Sequence, residues 1–441
     1  MHTPNINNAL DQNNPQFFRV VEAIERTNDC FLISGKAGTG KSTLLRHFCA
    51  NTKKNFMVLA PTGIAAINVG GQTVHSMFLL PFRPIVKGDD EIVKFPKTSK
   101  RGKILEKVDT IIIDEISMLR ADLLDAIDQS LKLNCGNKYP FGGKQVIMFG
   151  DPFQLEPIVT NTEIEKHIFG EVYQTPYFFS SHVFKEALIH FLELKKVYRQ
   201  TDETFIGLLN KIRTNRANGN DIKQLNARYE PSFSHREVDF SITLCSLNKT
   251  AKEINAIQLS KIEKEEHNYQ CTIEGDYNIK NIPTEENLIL KPGAQVVFVK
   301  NSTAGKWVNG TIAKVLECHS DFLTVILEDG TEHEVGREKW ENNEYIWNRS
   351  DQKIETRSKG SFTQFPLKLA WAITIHKSQG LTFDKTIIDL GNGAFAHGQL
   401  YVALSRCRTL EGITLVKPIT PDDIIVDERV VKYVEENALA M

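Results

Sequence analysis

At 441 residues, with a net charge of −2, the chain is too long for one hydrophobic core and has the balance of an ordinary globular protein of about three domains. That balance excludes a protein that coats nucleic acid through a global basic field, so any such surface must be a local groove. No apolar run reaches membrane-spanning length, the seven cysteines form no C-x-x-C pair and read as reduced thiols, and the polar start from Met1 to Pro15 is unlike a secretory signal, so no membrane partner and a cytoplasmic location are expected.

In chain order, Phe31-Leu32-Ile33 reads as a strand and Thr43 to Phe48 as a helix. Between them, Gly35-Lys36-Ala37-Gly38-Thr39-Gly40-Lys41-Ser42 fits G-x-x-x-x-G-K-[ST], a phosphate-binding loop in its proper strand–loop–helix setting. The glycines let successive backbone N–H groups turn inward around phosphates, and the helix start adds its positive dipole end. Lys41 then reaches the β- and γ-phosphates and Ser42 offers a hydroxyl to Mg²⁺. ATP or a similar nucleotide is expected, held by Gly35, Ala37, Gly38, Thr39, Gly40, Lys41, Ser42 and Thr43. A chance Gly-rich turn before a helix is the bland alternative.

Phe56 to Ala60 reads as a second buried strand. Small and hydroxyl residues follow it in Ala60-Pro61-Thr62-Gly63-Ile64-Ala65-Ala66 and Gln72-Thr73-Val74-His75-Ser76, types that let a polymer backbone approach. Residues 79–107, rich in proline and charge and without a strong helical period, read as a small insertion. Val108 to Glu115 is a β-branched strand ending in two acids. Asp114 is expected to hold Mg²⁺, directly or through water, and Glu115 to take a proton from an attacking water. Two acids after a buried strand are costly to leave unpaired, although a capping Asp-Glu pair opening the next helix is the alternative. The strand Gln145 to Phe149 leads into Gly150-Asp151-Pro152-Phe153-Gln154, which places Gln154 where it senses a γ-phosphate. Leu194 to Arg199 offers Arg199.

In the second half, Ile242 to Cys245, Leu369 to Ile373 and Thr386 to Asp389 read as parallel strands. The segments Trp371 to Gly380 and Tyr401 to Arg406 offer His376, Lys377, Gln379 and Arg406. Between the α/β stretches, Gln295 to Lys300, Thr311 to Glu317 and Phe322 to Glu328 read as antiparallel strands with turns at Asn309-Gly310 and Asp329-Gly330, a small inserted β-barrel. Motifs recur after strands, as ligand sites do in open α/β sheets. Two α/β domains sharing a nucleotide are the simplest architecture.

The ordered set GKAGTGKS, APTGIAA, TVHS, DEISM, GDPFQLEP, VYR, AITIHKSQG and YVALSRCR resembles the helicase motifs of superfamily 1. DEISM with APTGIAA, followed by ADLLDAID, is similar to the Pif (petite integration frequency) family, over roughly residues 16–410. The resemblance implies two RecA-like parallel-sheet domains with a small wedge insertion and an SH3-like β insertion. The boundaries expected are 1–78 and 108–193 for the first domain, 79–107 for the wedge, 194–255 and 365–441 for the second domain, and 256–364 for the β insertion. It further implies ATP-driven 5′-to-3′ movement on single-stranded DNA and unwinding of duplex or fork DNA; a monomer is expected.

Carried over residue by residue, the resemblance assigns Lys41, Asp114, Glu115, Gln154, Arg199 and Arg406 to catalysis and Gly380 to the γ-phosphate side. Gln16, in Asn14-Pro15-Gln16-Phe17-Phe18, stands where the family reads adenine. Pro61, Thr62, Thr73, His75, His376 and Lys377 stand where it faces the DNA strand. Four of these have a plainer alternative: a helix cap for Thr73, satisfied polar residues for His75 and His376, a solvated residue for Gln16. Phe78, Phe82 and Phe95 either stack on bases or pack the insertion's own core, and Lys97, Lys100, Arg101 and Lys103 either meet DNA or form a solvated loop. The rival classes are a nucleic-acid clamp that closes without translocating and a phosphate-loop kinase or transport ATPase.

Overall fold

Strands buried along their whole length, such as Cys30–Gly35 and the β-branched Thr110–Ile113, set the frame of the computed structural model. Such continuous burial suits parallel strands covered on both sides by helices. The structure describes residues 11 and 13–438, apart from 87, 160, 161, 232–239, 278, 280, 281 and 349. Most of the polar start read as unlike a secretory signal lies outside them. Two compact units emerge; one runs to Val197 and also takes Asn342–Lys359 and the chain from Glu428, and the other comprises Tyr198–Glu341 and Gly360–Asp427.

The first unit holds β1 (Cys30–Gly35), β2 (Phe56–Ala60), β3 (Gln72–Thr73), β4 (Thr110–Ile113), β5 (Gln145–Gly150) and β6 (Ile189–Leu194) in the spatial order β3-β2-β4-β5-β1-β6. Every pairing is parallel. Registers Ser34↔Gly150, Ile113↔Met148 and Ala60↔Thr73 bring the carboxyl ends to one edge. Helix α1 (Pro15–Arg26) starts with Asn14 accepting from the Gln16 N–H and with Pro15 in its first turn, the arrangement that satisfies a helix start. It buries Phe17, Val20 and Ile24 in a core shared with Phe31, Ile33, Leu44 and Phe48. Helices α2 (Lys41–Asn51), α3 (Gly63–Asn68) and α4 (Val74–Phe78) follow β1, β2 and β3, and α5 (Lys100–Lys107) and α6 (Ala121–Cys135) flank β4.

Three elements differ from the sequence reading. Helix α5 lies inside the segment read as irregular; Ser99 caps it by accepting from the Gly102 N–H at 3.1 Å, and a Cβ on Gly102 would meet the Pro96 carbonyl oxygen at 2.3 Å. Strand β6, at the edge of the sheet and only partly buried, has no counterpart in the sequence reading. The run Leu369 to Ile373 is not one strand: Leu367–Leu369 pairs antiparallel with Gln295–Phe298, and Ala372–Thr374 pairs parallel with Ile242–Cys245.

In the second unit, Ala372–Thr374, Ile242–Cys245, Thr386–Asp389 and Ile413–Leu415 form a parallel sheet in that spatial order. A five-stranded antiparallel sheet has the order Glu332–Gly336, Phe322–Leu327, Ile312–Cys318, Gln295–Phe298, Leu367–Leu369; its first four strands fall within 256–364, where the SH3-like insertion is expected, and the last lies beyond that bound. Its core joins Val296, Phe298, Ala313, Val315, Leu323 and Val325. The turn glycines Gly310 and Gly330 have φ of 96° and 82°, which only glycine adopts without strain.

Candidate functional site

The loop after β1 is shaped by its glycines. Gly38 and Gly40 sit at φ 79° and 85°, and a Cβ on Gly40 would meet Phe17 Cζ at 2.9 Å. Lys41 opens α2 and folds back, its Nζ donating to the carbonyls of Gly35 at 2.5 Å and Lys36 at 3.1 Å. The Thr39 hydroxyl donates to the Lys36 carbonyl at 2.9 Å. Ala37 and Thr39 are buried, whereas the Ser42 side chain is exposed and that of Thr43 half-buried. Gly40, the N-cap of α2, supplies no side-chain acceptor to the first-turn N–H groups, the condition under which a helix start receives an anion.

The two acids stand one strand beyond β5 on the same edge. The Asp114 N–H donates to the Leu59 carbonyl at 2.9 Å, and the residue is 9% exposed. Burial, reinforced by the Glu115 charge, pushes its carboxyl up to about 7, against the pull of Lys41 and Arg46. Glu115 has φ 52° and ψ 47°, a left-handed conformation that costs a non-glycine residue about 1–3 kcal/mol and gathers at functional sites. Behind it, a Cβ on Gly150 would meet Ile116 Cγ2 at 2.7 Å, so the segments DEIS and GDPFQ pack directly together. Asp151 holds the latter: its Oδ1 accepts from the Phe153 N–H at 3.2 Å and its carbonyl from the Gln154 N–H at 2.9 Å, leaving Gln154 only 5% exposed.

Gln16 is not merely solvated. Its Nε2 donates to the Glu193 carbonyl at 2.6 Å and its Oε1 accepts from the Lys195 N–H at 3.1 Å, tying α1 to the end of β6. On the other side of the edge, Pro61 is half-buried. Thr62 Oγ1 accepts from the Ala65 N–H at 3.3 Å and Thr73 Oγ1 from the Ser76 N–H at 3.2 Å. Both threonines therefore cap helices, and a capping hydroxyl keeps its proton to donate. Burial, with the Arg120 charge next, lowers the His75 pKa against the opposing Asp122. Phe78 and Phe95 are buried, as the packing alternative has it, while Phe82 is exposed. Within the basic cluster, Lys100 pairs with Glu344 at 2.6 Å and Arg101 donates to the Ser76 carbonyl at 3.1 Å.

The second unit gathers the remaining candidates. His376 and Lys377 lie in a short turn after Ala372–Thr374; burial lowers the His376 pKa, and the Lys377 side chain is exposed. Gly380 has φ 81° with open space around it. Ser405 is a meeting point: its carbonyl accepts from Arg199 Nη1 at 3.0 Å and Gln200 Nε2 at 3.1 Å, and its hydroxyl from Arg406 Nη2 at 2.8 Å. Arg406 is 2% exposed, and its Nε donates to the Val402 carbonyl at 2.9 Å. Its Nη1 makes longer contacts to the carbonyls of Ser378 at 3.5 Å and Leu381 at 3.4 Å, so it also braces the loop that carries Gly380.

Gln16, Gly35 to Thr43, Pro61, Thr62, Thr73, His75, Asp114, Glu115 and Gln154 thus converge on one edge of the first unit, and Arg199, His376, Lys377, Gly380 and Arg406 belong to the second. Sequence reasoning passed over Arg46, Asp151, Gln200 and Ser405. Arg46 was signalled by its place one helical turn after Ser42, and Gln200 by its adjacency to Arg199.

Comparison with known proteins adds three findings. Residues 9–222 match the family model for PIF1-like helicase. The chain is 32% identical to ATP-dependent DNA helicase Pif1 of Bdellovibrio bacteriovorus over 93% of its own length and 89% of that protein; of the vertebrate relatives it spans about three fifths. It is similar to the crystal structure of Bacteroides sp Pif1 in complex with ADP-AlF4, with a TM-score of 0.89, 38% identity and 97% of each chain covered, and to Bacteroides Pif1 bound to ssDNA, with a TM-score of 0.70, 38% identity and 97% of each chain covered.

Proposed function

Because the chain belongs to the PIF1-like helicase family and is an ATP-dependent DNA helicase, we propose that it moves 5′-to-3′ along single-stranded DNA, as a monomer, through the residues gathered above. The observation that supports the nucleotide site is the single sheet edge of the first unit, where the phosphate loop, the two acids and Gln154 follow β1, β4 and β5; the direction of movement rests on membership of the family. Lys41 leaves its loop carbonyls to meet the β- and γ-phosphates of ATP. Gln16 presents its amide to the adenine. Glu115, held in its strained conformation, accepts the proton of the attacking water, and Gln154 orients toward the γ-phosphate. Arg199, Arg406 and Gly380 form the γ-phosphate-sensing set of the second unit.

The donors fit a hard divalent cation: burial disfavours the ionised form of Asp114, which a cation favours, and the Ser42 hydroxyl is exposed at the helix start. Asp114 and Ser42 would hold Mg²⁺, which when bound neutralises charge on the phosphates. Pro61, Thr62, Thr73 and His75 of the first unit contact the DNA strand, and so do His376 and Lys377 of the second. Contacts from hydroxyls, main chain and a lysine read phosphate and sugar, so binding is nearly independent of sequence.

Strand displacement from duplexes carrying a 5′ or a 3′ single-stranded tail tests the reading. Unwinding is expected from the 5′ tail and little from the 3′ tail or a blunt end. Efficient unwinding from the 3′ tail alone would overturn the polarity and leave the ATP site standing.

A further inference from the structure

Phe82 is 90% exposed, the most exposed of the large apolar side chains among the described residues. It is nevertheless not loose. Its ring stacks on the His75 imidazole with centroids 4.6 Å apart and planes 8° from parallel. The chain around it is pinned on both sides: Leu80 N–H donates to the His75 carbonyl at 3.1 Å, Arg120 Nη2 to the Arg83 carbonyl at 3.1 Å, and Ile85 N–H to the buried Asp122 carboxylate at 2.9 Å. An aromatic ring held in water by a braced loop forgoes the burial that a ring of that size ordinarily gains.

The surroundings say which ligand it suits. The one cation beside it in sequence, Arg83, is taken up by Asp89 at 2.6 Å and Glu91 at 2.7 Å. One cation against two carboxylates does not attract a phosphate. A neutral aromatic face does attract another π-face, and stacking is how single-strand channels hold bases without reading them. His75 lies in α4, which starts directly after Thr73 at the carboxyl end of β3, so the ring stands beside residues assigned above to the strand's path.

We propose that Phe82, backed by His75, is a stacking platform that takes the face of one unpaired nucleobase. This rests on the single-strand reading of the preceding section. Because the ring is pre-positioned, little ordering entropy opposes the contact.

The test compares Phe82→Ala, Phe82→Trp and the parent protein in binding to an oligothymidylate and to a fully abasic strand of equal length. On oligothymidylate, Phe82→Ala is expected to bind about 5- to 150-fold more weakly and Phe82→Trp to match the parent. On the abasic strand all three are expected to bind alike. An equal loss on both strands, or no loss on oligothymidylate, overturns the platform. A parent protein that binds neither strand overturns the single-strand reading instead. Unchanged thermal melting of Phe82→Ala, expected for so exposed a ring, excludes a folding defect as the cause.

Discussion

Lys41, Glu115 and Lys368 show how a single side chain's surroundings decide what it can do. Lys41 touches the loop carbonyls of Gly35 and Lys36, so Lys41→Ala is expected to abolish ATP turnover while leaving single-strand affinity largely intact. DNA-stimulated ATPase activity and fluorescence anisotropy on the same samples check this. Glu115→Gln preserves shape but removes the carboxylate proposed as the base; nucleotide affinity should survive while turnover collapses by about two to four orders of magnitude. Retained turnover would place the base elsewhere. Lys368 gives a pH dependence. Burial, with the Lys377 charge next, lowers its pKa to about 8 against the opposing Glu285. Its folded pKa thus lies below its unfolded value, so the unfolded state binds more protons between the two and stability rises with pH across that window. Below it the ammonium is charged in both states and its burial opposes folding. Lys368→Met should therefore raise the urea midpoint at pH 7, with the gain shrinking as pH climbs toward 10. A gain that grows with pH would reverse the assignment.

Element by element, the site depends on packing that lies behind it. Helix α1 contributes Phe17 both to the core and to the back of Gly40. Phe17→Ala should destabilise the protein by about 3–5 kcal/mol and weaken nucleotide binding as well, since the wall behind the loop is lost. Chemical unfolding with a nucleotide titration separates the two effects. The strand segment Glu338–Asn348 contributes in a way its polar sequence hides. Tyr345 sends its hydroxyl to the backbone of Val58 in β2, donating to the carbonyl at 2.9 Å and accepting from the N–H at 2.8 Å. Tyr345→Phe would strand both buried backbone groups, at about 1–3 kcal/mol. Equilibrium unfolding reads that loss, and an unchanged stability would mean that water replaces the phenol.

For the whole molecule, the net charge of −2 leaves DNA binding to local contacts with phosphates. Affinity for single strands should still fall linearly with the logarithm of salt concentration, with a slope of about −0.7 per phosphate contact. Changing Lys377, exposed at its turn, to Ala should make that slope shallower by about one contact and weaken all sequences alike. A slope unaffected by the substitution would remove Lys377 from the strand's path.

The phosphate loop, the acid pair and the order of motifs were legible in the sequence because each is set by neighbours a few residues away. Glycine spacing, a β-branched run and a helix start leave their marks within one short window. The same holds for the Asn309-Gly310 and Asp329-Gly330 turns. What tertiary structure alone decided lies at long sequence separation. Arg199 and Arg406 meet at Ser405 across some two hundred positions, and Tyr345 reaches Val58 across 287; no local pattern encodes either contact. Burial also sorted the three phenylalanines, hiding Phe78 and Phe95 and exposing Phe82, because the same side chain serves a core or a surface according to what the fold brings against it. The left-handed backbone of Glu115 belongs here too. The close packing of Gly150 against Ile116, with the Met118 N–H donating to the Glu115 carbonyl at 3.1 Å, lies at the turn that holds this strained residue.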